Sequence, residues 1–249
     1  MNTQEVVTTV PPSHVFLGEL LDELPGHELE AKLEIAEFVE DPKYTVELLV
    51  GSIATSSECI IVIEERIEAE DTVQKYWCNR KKHDSGHFSV VHRAKGKGDR
   101  FVKYKPNKDI SPDGVIHFTE YKTLWPKGDL FPADAGVDLE KSESIGEELN
   151  RKKNGFFVQM DNGRVYQVVL DTVTHGKGER KQTLQQVEVE YKGNTNTPPK
   201  TSEAELVTAI SGDIVNIRDL VQVHLSERIV AKPTTQTKSN WLLEILDQS

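Results

Sequence analysis

Glu28, Glu30 and Lys32 stand two apart, and Glu188, Glu190 and Lys192 repeat that order late in the chain. Alternating carboxylates supply the oxygen ligands that Mg2+ and Mn2+ prefer, and a neighbouring lysine supplies a compact positive charge for an anion. Basic residues alternate too, as Arg93 and Lys95 and then as Lys103 and Lys105, with Arg151-Lys152-Lys153, Arg164 and Lys238 further on. This is the chemistry a polyphosphate needs: cations on its oxygens, and carboxylates for a metal ion that offsets phosphoryl charge. Taken singly, each pair also matches a solvated strand face or a lysine-guarded sheet edge. The repetition of the E-x-E-x-K and K-x-K patterns is what favours a site.

Such residues share a face only if the segments that carry them are strands. Leu29, Ala31, Leu33 and Ile35 alternate with Glu28, Glu30, Lys32 and Glu34, which predicts a strand with one apolar and one charged face. Ala, Leu, Glu and Lys are also good helix formers, and Leu29, Leu33 and Ala36 share a helical stripe, so the first stretch alone leaves a helix open. The second copy, with Val187, Val189 and Tyr191 between its charges, is richer in strand formers and favours strands for both.

The rest of the chain reads as strands joined by hairpins. Strand one is expected over roughly 27 to 39, a short helix over Lys43 to Ile53, and β-prone runs over Cys59 to Ile67 and Asp71 to Cys78. His87 to Lys95 turns through Gly96-Lys97-Gly98-Asp99 into Arg100 to Lys105, and Pro106 stops it. Val115 to Trp125 reads as one further strand. Gly155 to Met160 and Arg164 to Val173 form a hairpin across Asp161-Asn162-Gly163. Gly176-Lys177-Gly178 leads to Gln182 to Lys192. Glu203 to Ile210 reads as a helix, Ile217 to Val223 as a strand or second helix, Leu225 to Ala231 as a strand and Trp241 to Leu246 as a helix. Val15 to Leu24 offers a short helix between Pro11-Pro12 and Pro25-Gly26. The expected fold is therefore α+β, mainly β with a few helices, with an antiparallel barrel or strongly curved sheet at its centre. The domain reading is an N-terminal extension over 1–26 and one domain over 27–249, with an insertion around 107–150 and a long loop at 127–144.

Composition narrows the function. The chain has 249 residues, 37% hydrophobic, and a formal net charge of -11. That charge argues against general nucleic-acid binding, which needs a basic surface. No apolar run approaches the roughly 20 residues of a membrane span. Residues 1–13 lack the basic start of a secretory signal, and Cys59 and Cys78 make no disulfide framework, so a cytoplasmic location is expected. No phosphate-binding P-loop, H-E-x-x-H, C-x-x-C or G-x-S-x-G motif occurs, and His83, His87 and His92 lack zinc spacing.

In this order the residues resemble the CYTH, or triphosphate tunnel metalloenzyme, superfamily. Glu28, Glu30 and Lys32 match its N-terminal E-x-E-x-K strand. Arg93-Ala94-Lys95 and Lys103-Tyr104-Lys105-Pro106 resemble its basic strands. Val168-Val169-Leu170-Asp171, Gly176-Lys177-Gly178 and Glu188-Val189-Glu190 match its apolar strand ending in Asp, its glycine turn and its E-x-E strand. Lys238-Ser239-Asn240-Trp241-Leu242-Leu243 is similar to its C-terminal Lys-Ser segment. The resemblance covers about 27 to 246. Val91 stands where an additional arginine is common, and 106 to 150 does not align.

The resemblance implies an eight-stranded antiparallel β tunnel that binds a triphosphate-containing small molecule. It implies Mg2+ or Mn2+ on Glu28, Glu30, Glu188, Glu190 and Asp171, and phosphate contacts from Lys32, Arg93, Lys95, Lys103, Lys105, Arg164, Lys192 and Lys238. Glu120 and Lys122 join the candidates by alternation. The implied activity is metal-dependent hydrolysis of inorganic triphosphate or of a nucleoside or thiamine triphosphate by a metal-activated water. The alternatives are an adenylyl cyclase on the same scaffold and a non-catalytic polyphosphate-binding module.

Overall fold

The computed structural model describes residues 20–57, 59–78, 87–93, 101–105, 108–124, 143–176, 178–197 and 200–247. Its centre is an antiparallel sheet in the hydrogen-bonded order β5-β6-β1-β10-β9-β8-β2-β3-β4-β7, with β11 also on β1. The strands are β1 (His27–Ile35), β2 (Ile60–Cys78), β3 (His87–Arg93), β4 (Phe101–Lys105), β5 (Lys108–Ile110), β6 (Ile116–Thr119), β7 (Tyr121–Leu124), β8 (Glu143–Met160), β9 (Arg164–His175), β10 (Gln182–Asn194) and β11 (Ala231–Thr234). Helices α1 (Pro42–Ser56), α2 (Glu203–Ser226) and α3 (Lys238–Asp247) complete the α+β fold.

The antiparallel α+β expectation holds, and the ladder among the described residues does not close into the expected eight-stranded barrel. Among the described residues the sheet has 11 strands and its hydrogen bonding is open. The physical reason lies at Glu120. The expected single strand over Val115 to Trp125 is split there, with β6 near one end of the sheet and β7 at the other. One residue of chain thus joins the two ends where a barrel would carry a ladder.

Period-two alternation sorts the side chains. On one face of β1, β9 and β10, Leu29, Ala31, Leu33, Tyr166, Val168, Leu170, Val187 and Val189 pack against α1 and α2. α2 shows why: Ile210, Ile214, Ile217, Val221 and Leu225 form a buried stripe at helical spacing. Its start is fixed by a capping box between Ser202 and Glu205. That stripe runs through Ile217 to Val223, so the strand alternative there gives way to one continuous helix. The expected strand at Leu225 to Ala231 likewise becomes the helix end and a turn before β11.

The opposite face carries the charges, flanked by apolar clusters. At one end Ile63, Phe157 and Val165 pack with Leu20. At the other, Trp241 and Leu242 of α3 pack on Tyr76, Ile145, Leu149, Val173 and Leu184. Strands β8 and β9 approach closely between them. A Cβ on Gly155 would collide with the Val168 carbonyl oxygen, so only glycine fits.

Local readings fared unevenly. The hairpin at Asp161-Asn162-Gly163 forms with Gly163 at φ 85°. The two runs at 59–67 and 71–78 merge into the long β2, which absorbs register shifts between Ile63, Ile67 and Glu70. Residues 20–24 are not helical: Leu21 bridges to Asn194 and Leu24 is buried in the core. Most of the 127–144 loop, and the turn at 96–100, lie outside the described residues.

Candidate functional site

The site begins with the β1–β10 register. Glu30 pairs with Glu190 and Lys32 with Glu188, so the two E-x-E-x-K stretches run side by side on one face. Like charges placed directly opposite repel, and lysines offset the repulsion. Lys32 Nζ lies 2.9 Å from Glu30 Oε1 and 2.5 Å from Glu188 Oε1. Lys192 pairs with Glu190. Burial alone would lower the Lys32 pKa, but Glu188 and Glu30 hold it above the ordinary lysine value.

β9 and α3 extend the network. Asp171, across the ladder from Gln186, has no exposed surface. It pairs with Arg151 of β8, and Lys238 Nζ lies 3.0 Å away. Lys238 also pairs with Glu188, and Arg151 Nη2 approaches Glu188 Oε2 at 3.8 Å. Arg151 further donates to Gln74 Oε1 at 2.7 Å. Burial would raise the carboxylate pKa values, yet Arg151 and Lys238 hold Asp171 below its usual range and Lys238 and Lys32 hold Glu188 well below it. These groups stay ionised at neutral pH.

The second half comes from β4 and the β6–β7 joint. Lys105 Nζ is 2.8 Å from Glu28 Oε2 and 3.6 Å from Glu120 Oε2, and Lys103 Nζ is 3.0 Å from Glu120. Lys105 also sits over the Phe118 ring, 4.3 Å from its centroid. Burial opposes ionisation of Glu28, but Lys105 and Lys103 hold it well below the usual carboxylate range. Glu120 goes the other way: burial, and then its hydrogen bond to Glu28, push its pKa up to about 7.

Lys153 differs from its neighbours. It pairs across the ladder with Asp171, but among the described residues its Nζ makes no ion pair. Burial, and then the Arg151 charge, push its pKa down to about 8. It is a cation in the middle of the site whose charge is not fully compensated.

The structure brings together the expected residues Glu28, Glu30, Glu188, Glu190, Asp171, Lys32, Lys103, Lys105, Lys192 and Lys238. It does not bring Arg164. That residue lies on the helix-facing side of β9, where its guanidinium pairs with Glu23 at 3.1 Å and Asp213 at 3.3 Å. The reason is parity: Arg164 and Asp171 are an odd number of positions apart on one strand and so face opposite ways. Arg93 ends β3 opposite Thr72, and Lys95 lies outside the described residues. Arg151-Lys152-Lys153 stood out in the sequence only as a basic run ahead of a strand expected to begin at Gly155, and none of the three was assigned a phosphate contact. β8 begins at Glu143, and with the strand extended back the R-x-K alternation of Arg151 and Lys153 marks them.

A divalent ion can be tested against this donor set. The donors are carboxylate oxygens, which suit Mg2+ and Mn2+, and the register gathers Glu28, Glu30 and Glu190 on one patch. As they stand the carboxylates turn to lysines, and no three acidic, histidine or cysteine side chains among the described residues converge on one point. The fit is one of chemistry and register.

No family model matches the chain, and no curated protein matches it. Among solved structures it is similar to a Hippeastrum protein classed with the adenylyl cyclases and described as having a dominant triphosphatase activity. That likeness has 12% identity over 87% of this chain and 95% of the other, at a TM-score of 0.48. The RNA triphosphatase domain of a mimivirus mRNA capping enzyme is similar at 9% identity over 78% of this chain and 89% of the other, with a TM-score of 0.38. An RNA triphosphatase of S. pombe follows at 13% identity over 86% and 88%, with a TM-score of 0.34. At these TM-scores the likenesses carry no argument about activity. No helix among the described residues is long and apolar enough to cross a membrane.

Proposed function

We propose that the chain is a metal-dependent hydrolase of a triphosphate-containing small molecule, held over the charged face of β1, β10, β9, β8 and β4. The observation that carries this reading is Lys153. It is a cation without an ion-pair partner among the described residues, with Arg151 beside it and with Asp171, Glu188 and Glu190, carboxylates that a metal ion would also take, close enough to act on its charge. An anion supplies the missing charge.

In this reading the ion pairs are exchanged when substrate binds. Lys32, Lys238 and Arg151 turn from Glu188 and Asp171 to phosphate oxygens, as point charges and as one planar fork. Lys103 and Lys105 reach the same chain of phosphates from the β4 side. Glu28, Glu30 and Glu190 would hold Mg2+ or Mn2+, with Glu188 and Asp171 beside them. When bound, the ion would lower the pKa of a water and offset phosphoryl charge. The flanking apolar clusters limit water, which strengthens each charge contact. Attack of a water oxygen on the terminal phosphorus forms the new P–O bond as the bridging P–O bond breaks. The water's proton passes to solvent and the cations stabilise the leaving diphosphate.

A competing reading is a module that binds polyphosphate without cleaving it. It is favoured by the lack of three converging metal ligands among the described residues. Product analysis separates the two. The purified chain is incubated with inorganic triphosphate, ATP, thiamine triphosphate and triphosphate-ended RNA, in Mg2+, in Mn2+ and in chelator. Metal-dependent phosphate release from at least one substrate is expected. Tight binding with no turnover would establish the binding module, and cyclic AMP with pyrophosphate would establish a cyclase.

A further inference from the structure

Arg151 of β8 divides its guanidinium between two partners. Nε donates to Asp171 Oδ1 at 3.4 Å and Nη2 donates to Asp171 Oδ2, so one edge of the fork lies on the carboxylate. Nη1 is left for a different strand, and donates to Gln74 Oε1 of β2 at 2.7 Å. The ladder sets this up. Thr72 stands opposite Arg151 and Gln74 opposite Leu149, which makes Gln74 the diagonal neighbour of Arg151 on one face of the sheet. A guanidinium only donates, so the amide must present its oxygen to it and the orientation of the amide is settled. Gln74 is 4% exposed, so water competes little for the contact.

We propose that Gln74 is a positioning residue for Arg151, an inference that rests on the triphosphate reading above. In that reading the Nε–Nη2 edge leaves Asp171 for phosphate oxygens. The guanidinium gives up both bonds to Asp171 in that exchange, and without another contact its plane would be free to turn on a flexible stem. Gln74 stays on Nη1 throughout. The edge that lay on a carboxylate therefore meets a phosphate in the same bidentate geometry. The neutrality of the acceptor matters as much as its place. A carboxylate at 74 would offset the charge that the phosphate needs, whereas an amide oxygen fixes Nη1 and leaves that charge to the substrate.

The test is a double-mutant cycle on the full chain. Binding of inorganic triphosphate in Mg2+ is measured by calorimetry for the unaltered chain, Gln74→Met, Arg151→Lys and the double variant. Gln74→Met should weaken binding about tenfold to a hundredfold, the change that corresponds to one hydrogen bond to a charged group. Lysine has no Nη1 for Gln74 to hold, so in the Arg151→Lys chain the same substitution should change affinity by less than about twofold. A glutamine with a merely structural role would weaken binding equally in both backgrounds. Where Gln74→Met fails to fold, judged by circular dichroism, Gln74→Asn replaces it, since the shorter side chain keeps the amide but withdraws it from Nη1. An unaltered chain that takes up no triphosphate overturns the functional reading and this inference with it. Uptake by the unaltered chain, with either additive losses or unchanged affinity in the Gln74 variant, overturns this inference alone.

Discussion

Lys105 Nζ lies 2.8 Å from Glu28 Oε2, although β4 and β1 stand near opposite ends of the hydrogen-bonded order of the sheet. The contact means that the charged faces of the two ends meet, and that a side-chain pair holds them where no ladder does. Lys105→Met should destabilise the fold by about 1.5–3 kcal/mol, the range for a hydrogen bond to a charged group. Adding Glu28→Gln should restore part of that loss, because the unpaired carboxylate is removed. Denaturant unfolding of the two single variants and the double checks the coupling.

Lys153 makes the opposite prediction for stability. Its folded pKa is about 8 against an ordinary 10.5. Between those values the unfolded chain holds a proton that the folded chain has released, so this group lets stability rise with pH from 8 to 10.5 and costs most below 8. Lys153→Met should therefore unfold no more easily than the unaltered chain at pH 7, and by up to about 1–3 kcal/mol less easily. Its affinity for triphosphate should fall at least tenfold. Calorimetry at pH 8.5 in buffers of different ionisation enthalpy should show proton uptake on binding that the variant lacks.

Asp171 and Glu188 set the acid limb. Their folded pKa values are lowered by Arg151, Lys238 and Lys32, so their stabilisation is complete above the unfolded carboxylate range and is lost as pH falls through the lowered values. Asp171→Asn leaves Arg151 short of a buried partner and should cost about 3–5 kcal/mol at pH 7. The loss should shrink toward low pH, where Asp171 is itself protonated. Urea midpoints from pH 3 to 8 measure this.

Arg164 separates the two faces of β9. Arg164→Ala leaves the fully buried Glu23 carboxylate without its cation and with only the neutral donors Tyr191 and Asn194, and should lower stability by about 1–3 kcal/mol. Since Arg164 belongs to the helix side, KM for triphosphate should stay within about twofold. A large rise in KM with unchanged stability would place it in the site after all.

What the sequence revealed follows from which signals are local. Glu28, Glu30, Lys32, Glu188 and Glu190 were legible because strand alternation is a property of a few consecutive residues. The same parity argument, carried from Asp171 back to Arg164, would have set Arg164 aside. Ile217 to Val223 looked strand-like because Ile and Val favour strands one by one, while the stripe that makes them helical only shows across Ile210 to Leu225. Lys238 was found by pattern alone. Its place in the network depends on α3 docking through Trp241 and Leu242, a tertiary event with no periodic trace. The break at Glu120 was not legible, since nothing local tells a strand that its two halves pair at opposite ends of a sheet.

That break constrains how the length of the chain can change. Glu28 pairs with Phe118 on one side of Glu120 and Lys103 with Lys122 on the other, so the pleat keeps a single phase through a joint one residue long. Adding or removing one residue there would turn either the β6 half or the β7 half over, carrying its side chains to the wrong face. Length variation among related chains should therefore accumulate in the 125–142 segment and be excluded at 120. A library of single-residue insertions, sorted for folded protein, should be empty at that position.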